Sequence, residues 1–216
     1  NIKMTIKEVL PVEKIIDLSA SVGMVPNEKF HYGWFSNSEW QMDILKSFNI
    51  DESCKILDIG CGPLRFGLEA INFLNDGGYY GIDPYPRFIE LGKLLYDATG
   101  MYKKYTVIHD AEFNFHLFET EFDFAIAQSV FTHLSREQVI LALTNAKKAM
   151  KPGSKLLFTN IESSLARGFL YDGRFPMITG VNMDEKFYRD ICEPLNLELE
   201  YNSREHPTQH AHTIIF

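Results

Sequence analysis

Short apolar runs alternate along the chain with longer stretches that mix apolar and polar residues. The apolar runs are rich in β-branched residues and too short for helices, which favours strands buried on both faces. They predict seven strands, at Lys55–Ile59, Tyr79–Asp83, Tyr105–His109, Phe122–Ala127, Ser154–Asn160, Leu197–Tyr201 and Thr213–Phe216. Because strands that alternate with helices form mostly parallel sheets, the pattern predicts an α/β fold.

Helix signals lie before and between these strands. Residues 5–20 predict a helix interrupted near Pro11, because proline cannot continue a helix. Two Ser-x-x-Gln capping boxes, Ser38–Gln41 and Ser135–Gln138, predict further helix starts. The remaining helices are predicted at Leu64–Asn75, Pro86–Thr99 and Asp184–Leu195.

The first strand runs into a glycine turn that is typical of a nucleoside-binding corner. Asp58 precedes Gly60 and Gly62, and Pro63 suits the first turn of the helix that follows. A dinucleotide fingerprint needs a third glycine where this chain has Arg65, which disfavours a nicotinamide cofactor. Asp83 ends the second strand, 83 − 58 = 25 residues beyond Asp58. A carboxylate at that strand end can bind both ribose hydroxyls.

Four motifs resemble those of the class I S-adenosylmethionine-dependent methyltransferases, and they occur in the order of that family. They are Asp58-Ile59-Gly60-Cys61-Gly62, Gly81-Ile82-Asp83, Phe122-Asp123-Phe124 with Gln128-Ser129-Val130-Phe131-Thr132-His133-Leu134, and Lys151-Pro152-Gly153. The resemblance implies a seven-stranded, doubly wound, mostly parallel sheet with an antiparallel last strand. It also implies an N-terminal helical lid over residues 1–50, followed by one methyltransferase domain over residues 51–216.

The resemblance implies S-adenosylmethionine as the cofactor. In the family, the acidic residue and the glycine turn bind its amino-acid end and ribose region. An acidic residue after the third strand, here Asp110, contacts the adenine amino group, and the next backbone amide, here Ala111, contacts a ring nitrogen. The full set of expected cofactor-binding residues is Asp58, Gly60, Cys61, Gly62, Asp83, Pro84, Asp110, Ala111, Gln128 and Ser129.

His133 is the candidate catalytic residue. It follows the fourth strand, and a histidine near neutrality can remove the proton of an alcohol acceptor. The alternative interpretation is a histidine that only hydrogen-bonds backbone at a helix entry. Other candidates for the base are His31, His206, His210 and His212.

Two regions are candidates for binding the acceptor. The aromatic segment, Phe30–Phe35, either packs over the core or covers cofactor and acceptor as a lid. The long loop over residues 161–182 carries arginines that suit anionic oxygens or are plain surface residues. The expected acceptor-binding residues are His31, Tyr32, Trp34, Arg167 and Arg174.

Composition and charge limit the classes of molecule that the chain is expected to bind. With 216 residues, 45% of them hydrophobic, and a net charge of −8, the chain fits one domain with little attraction for nucleic acid. No apolar run is long enough to span a membrane, and the three cysteines indicate reduced thiols in the cytoplasm. We expect a small-molecule acceptor, no metal, and a monomer or homodimer.

Competing functions remain at this stage. Aminopropyl transfer would need an acid-rich polyamine pocket, which the sequence does not indicate. A non-catalytic protein of the same fold, binding S-adenosylmethionine or assisting assembly, is the alternative to an enzyme. For an enzyme, the resemblance favours O-methylation of a sugar, a phosphorylated metabolite or a carboxylate-bearing one, in glycan or secondary-metabolite biosynthesis.

Overall fold

The computed structural model describes residues 5–24, 28–160, 183–206 and 209–216, with side chains from residue 33 onward in the helix that begins at Glu28. The helices are α1 Ile6–Val9, α2 Val12–Ser21, α3 Glu28–Ser47, α4 Arg65–Phe73, α5 Pro86–Thr99, α6 Arg136–Ala149 and α7 Glu185–Cys192. The strands are β1 Ile56–Ile59, β2 Tyr79–Asp83, β3 Thr106–His109, β4 Phe122–Ala127, β5 Met150–Asn160, β6 Glu198–Arg204 and β7 His210–Ile215. Short 3-10 helices lie at Phe115–Phe118, Phe131–His133 and Glu193–Leu195.

The strands form one seven-stranded sheet in the order β3-β2-β1-β4-β5-β7-β6. β1 pairs with β2, β2 with β3, and β4 with β5, all in parallel. β7 is antiparallel to both of its neighbours, β5 and β6. The predicted mostly parallel sheet with an antiparallel last strand is confirmed.

The chain divides into two compact units, Asn1–Ala111 and Glu112–Phe216. In the first, every residue of β1 is buried, as its apolar sequence predicts, and α3 packs against α4. The N-terminal helix is interrupted at Pro11, as predicted.

The first capping box does not start a helix, so that prediction is wrong. α3 begins at Glu28 and runs through Ser38, whose buried hydroxyl donates to the Phe35 carbonyl oxygen within the helix. Pro63 also lies outside α4, which begins at Arg65 after Leu64 in a left-handed conformation, with φ +63°.

In the second unit, the second capping box is confirmed. Ser135 has extended backbone, its hydroxyl accepts from the Gln138 amide at 3.1 Å, and the Gln138 side chain accepts from the Ser135 amide at 2.9 Å. β5 begins at Met150, earlier than predicted, and α7 begins after the Asp184 cap. Among the helices that the structure describes, none combines the length and apolar character needed to cross a membrane.

Candidate functional site

The glycine turn after β1 closes on the end of β2. The amides of Gly60 and Cys61 both donate to the Ile82 carbonyl oxygen, at 2.8 and 3.1 Å. Gly62 has φ +53°, and no atom of the described residues, apart from its own and those of its two chain neighbours, lies within 4 Å of where its Cβ would be. The turn therefore presents bare backbone beside open space, into which a ligand can approach closely.

Asp83 joins the end of β2 to that turn. Its Oδ2 accepts from the Gly62 amide and its Oδ1 accepts from the Tyr85 amide, both at 2.8 Å. The residue is 4% exposed, and burial raises the pKa of its carboxyl to about 6, against the lowering effect of the two amides. Each carboxylate oxygen has a second lone pair, so both can still accept from a ligand.

Asp58 is held by a residue that the sequence analysis did not identify. The hydroxyl of Tyr79 donates to Asp58 Oδ2 at 2.6 Å, and both residues are buried. Burial raises the pKa of the Asp58 carboxyl to about 7; the Tyr79 hydrogen bond lowers it and the nearby Asp83 raises it. The sequence did hold a clue to this contact. Tyr79 begins an apolar strand and is therefore expected to be buried, and a buried tyrosine hydroxyl needs a hydrogen-bond partner.

The other cofactor-binding candidates of the first unit lie along the same strand ends. Cys61 is buried, and burial raises the pKa of its thiol. The Asp110 amide donates to the Asp83 carbonyl oxygen at 3.2 Å, and the Pro84 carbonyl oxygen contacts His109 Nε2 at 3.0 Å. Ala111 is exposed. The structure thus brings the candidates of β1, β2 and β3 to one edge of this unit.

Trp34 and Phe35 are the members of the aromatic segment whose side chains the structure describes. The side chain of Trp34 is fully buried and that of Phe35 is nearly so, which supports the packing interpretation for these two members of the aromatic segment. The side chains of His31 and Tyr32, together with Arg167 and Arg174, lie outside the described residues.

In the second unit, Gln128 and Ser129 follow β4 and enter a hydrogen-bonded network. The Ser129 amide donates to Thr159 Oγ1 at 2.7 Å, and Gln209 Nε2 donates to Ser129 Oγ at 2.5 Å. Ser129 has φ +56°, an uncommon conformation for serine. The network fixes the turn after β4 against β5 and the start of β7.

His206 connects Gln128 to Gln209. The Gln209 amide donates to His206 Nδ1 at 3.1 Å, and His206 Nε2 lies 3.4 Å from the side-chain amide of Gln128. Since Nδ1 accepts, the proton of the neutral ring is on Nε2, the ring atom that faces the Gln128 side-chain amide. Burial lowers the pKa of His206, which favours this neutral form.

His133 is placed differently. It ends the 3-10 helix Phe131–His133 and is exposed, and partial desolvation of the ring lowers its pKa. Within the described part of the chain its side chain makes no hydrogen bond, so a ring nitrogen is open to accept a proton.

His212 is a structural histidine. It is fully buried, its Nδ1 accepts from the Asn202 amide at 2.8 Å, and its Nε2 pairs with Asn160 Oδ1 at 2.7 Å. Its ring stacks on Tyr201 with centroids 3.9 Å apart, and burial lowers its pKa to about 4. Over the described ranges, no three His, Cys, Asp or Glu side chains group as metal ligands.

Comparison with known proteins found one matching family and several solved structures of the same fold. Residues 56–153 match a family described as "Methyltransferase domain". The chain is similar in structure to magnesium protoporphyrin IX methyltransferase from Synechocystis PCC 6803 with bound SAH, at 12% identity and TM-score 0.66, covering 93% of each chain.

Two further solved structures share the fold. An S-adenosylmethionine-dependent methyltransferase from Clostridium acetobutylicum ATCC 824 has 12% identity and TM-score 0.63, over 94% of this chain and 96% of that one. The DhpI–SAH complex has 13% identity and TM-score 0.62, over 96% of this chain and 97% of that one. The chain therefore shares the fold of solved S-adenosylmethionine-dependent methyltransferases, and its residues 56–153 match the methyltransferase-domain family.

Proposed function

We propose that this enzyme transfers a methyl group to an oxygen of a small polar metabolite. The observation that carries the proposal is Asp83, a carboxylate at the end of β2 fixed by the amides of Gly62 and Tyr85. Fixed in this way, and with acceptor capacity left on both oxygens, it suits a ribose diol.

The residues of the first unit fit the rest of the cofactor. Asp58 supplies a carboxylate for its ammonium group, and the open turn at Gly62 leaves room for its backbone contacts. Asp110 and the Ala111 amide are our candidates for the adenine edge. Bound S-adenosylmethionine supplies a methyl group activated by the adjacent sulfonium.

The net charge of the chain and the polar side chains at the end of β4 support a small polar acceptor. The net charge of −8 disfavours nucleic acid, whereas the Gln128, Ser129 and Gln209 side chains offer uncharged hydrogen-bonding groups that suit a polar metabolite. Arg167 and Arg174 remain candidates for anionic oxygens of the acceptor. Sugars and phosphorylated or carboxylate-bearing compounds, in glycan or secondary-metabolite biosynthesis, fit this description. None of the three cysteines, all of which the structure describes, forms a disulfide, which supports a reducing, cytoplasmic setting.

His133 is our candidate for the base that takes the acceptor proton. Its lowered pKa keeps the ring neutral near pH 7. His206, by contrast, already accepts a hydrogen bond on Nδ1. If the acceptor is an alcohol, alignment and water exclusion do the remaining work, since methyl transfer is an in-line displacement.

The test is methyl transfer from labelled S-adenosylmethionine to pools of sugar nucleotides, hydroxy acids and phosphorylated metabolites, with tRNA and protein as competing acceptors. We expect turnover on a small molecule, and His133→Ala should lower kcat by roughly 10²–10⁴. His116→Ala is the matched control, because His116 is also an exposed histidine on a 3-10 helix.

Turnover on tRNA or protein alone would contradict the acceptor class. Cofactor binding without transfer to any acceptor would favour the non-catalytic alternative, a binding or assembly protein of the same fold. Unchanged kcat in His133→Ala would remove that residue from the chemistry.

A further inference from the structure

The contact between Tyr79 and Asp58 joins the start of β2 to the middle of β1. In the parallel register Tyr79 lies beside Ile56, and Asp58 lies beside Gly81. The phenol nevertheless reaches Asp58 Oδ2, at 2.6 Å, with Tyr79 only 1% exposed. A donor sealed in this position cannot exchange its partner for water, so the hydroxyl stays on the carboxylate.

Helix α4 holds the phenol in place. A Cβ added at Gly67 would lie 2.6 Å from the Tyr79 hydroxyl oxygen and 2.8 Å from its Cζ. Real Cβ atoms do not approach other atoms so closely, and Leu64 blocks the same space at 2.8 Å. Glycine at position 67 therefore provides the room in which the Tyr79 ring reaches Asp58.

We propose that Tyr79 is a positioning residue for the amino-acid end of the cofactor, holding one Asp58 oxygen so that the other is presented to the ammonium group. The inference rests on the proposed function, because Asp58 must be the cofactor's carboxylate partner. Tyr79 touches neither the cofactor nor the reacting atoms in this proposal.

The hydrogen bonds of Asp58 support these separate roles for its two carboxylate oxygens. A phenol donates one hydrogen, so it occupies Oδ2 alone. Across the described residues no hydrogen bond to Oδ1 is present, while the residue keeps 4% of its surface exposed. Oδ1 is therefore the oxygen left for an incoming cation.

The charges around Asp58 explain why the phenol matters. Asp83 opposes ionisation of Asp58, Arg65 at the start of α4 favours it, and the Cys61 thiol is neutral because burial raises its pKa. The Tyr79 hydrogen bond also favours the ionised form, and the resulting pKa of about 7 leaves Asp58 half protonated near neutrality. An ammonium group prefers the ionised form, so cofactor binding near pH 7 should release a proton.

Calorimetry with S-adenosylhomocysteine, which keeps the same ammonium group, tests the proposal. Titrations in two buffers with different ionisation heats, repeated from about pH 5.5 to about pH 8, give affinity and proton release together. For Tyr79→Phe we expect roughly tenfold weaker binding at about pH 7, because the carboxylate loses a charge-assisted hydrogen bond. Proton release should also shift to higher pH in that variant. If Tyr79 only supported the fold, its replacement would weaken binding without shifting the pH at which the proton is released.

Three more variants complete the design. Asp58→Asn should abolish the release near pH 7 and leave any release at lower pH that belongs to Asp83. Tyr80→Phe, the neighbouring tyrosine in β2, should match the wild type. Gly67→Ala keeps the phenol but crowds it, so it should weaken binding as Tyr79→Phe does. It replaces Tyr79→Phe as the test if that variant does not fold.

The outcomes separate the two proposals. Wild-type protein that fails to bind S-adenosylhomocysteine would contradict the proposed function itself. Tight wild-type binding, with unchanged affinity and proton release in folded Tyr79→Phe, would overturn the role of Tyr79 and leave the proposed function standing.

Discussion

At the scale of single residues, the first unit keeps two buried carboxyls beside the glycine turn: Asp58 just before it in sequence, and Asp83, which accepts from the Gly62 amide. Asp58 and Asp83 are each 4% exposed, and burial raises both pKa values, to about 7 and about 6. A buried carboxylate costs stability unless it is fully paired. Such a cost is typical of binding sites, where residues are selected for the ligand rather than for the empty fold.

This cost predicts a pH-dependent effect of Asp58→Asn. The folded pKa of Asp58, about 7, lies above the ordinary value of 3.8, so the folded state binds more protons between these values. The wild-type free energy of unfolding should therefore fall as pH rises through that window. Asparagine cannot ionise and still accepts from Tyr79, so the variant should match the wild type near pH 4 and be more stable by ~4 kcal/mol at pH 8.

Denaturant unfolding of both proteins at a series of pH values measures the difference. Asp97→Asn, which replaces an exposed aspartate on α5, is the control for the loss of one carboxylate. Parallel stability curves for the wild type and Asp58→Asn would contradict a raised pKa at Asp58.

At the scale of elements, the two capping boxes show how much a local motif can predict about where a helix begins. Ser135 and Ser38 both precede a glutamine by three positions, yet only Ser135 has extended backbone and caps a helix. Ser38 is buried, and its hydroxyl donates within α3 instead. Serine can make either bond, and tertiary burial decides between them, so the motif alone could not fix the start of α3.

The strands and the glycine turn were predictable because their signals are local: apolar runs, Asp58, and glycines where the backbone needs them. The contacts that complete the site are not local. Tyr79 reaches Asp58 across 21 positions, and Gln128 reaches His206 across 78. Such pairs depend on strand register and on the order of strands in the sheet, which no short window of sequence contains.

The lid interpretation of the aromatic segment is a prediction at this scale. If Phe30–Phe35, now assigned to α3, covers the bound cofactor, its backbone amides should exchange more slowly when S-adenosylhomocysteine saturates the protein. Hydrogen exchange with and without the ligand measures this, with α6 as an internal reference. Equal exchange in both states would leave the segment as a packing element, the role that the burial of Trp34 already supports.

At the scale of the whole molecule, the sheet order brings the ends of β1, β2 and β3 to consecutive positions at one edge of the first unit. Parallel strands end on the same side, so acidic residues far apart in sequence become neighbours. This is why Asp58, Asp83 and Asp110 can serve one ligand. The central claim of this account is that Asp83 binds the ribose of the cofactor.

Calorimetry of Asp83→Ala with S-adenosylhomocysteine tests that claim most directly. Each lost hydrogen bond to the carboxylate is worth about 1.5–3 kcal/mol, so we expect affinity to fall by tenfold or more. Asp83→Asn retains an acceptor oxygen for one of the two amides and so disturbs the turn less than alanine does, and exposed Asp97→Ala controls for the lost charge. The account predicts weak binding in both Asp83 variants and wild-type binding in Asp97→Ala; wild-type affinity in folded Asp83→Ala would contradict it.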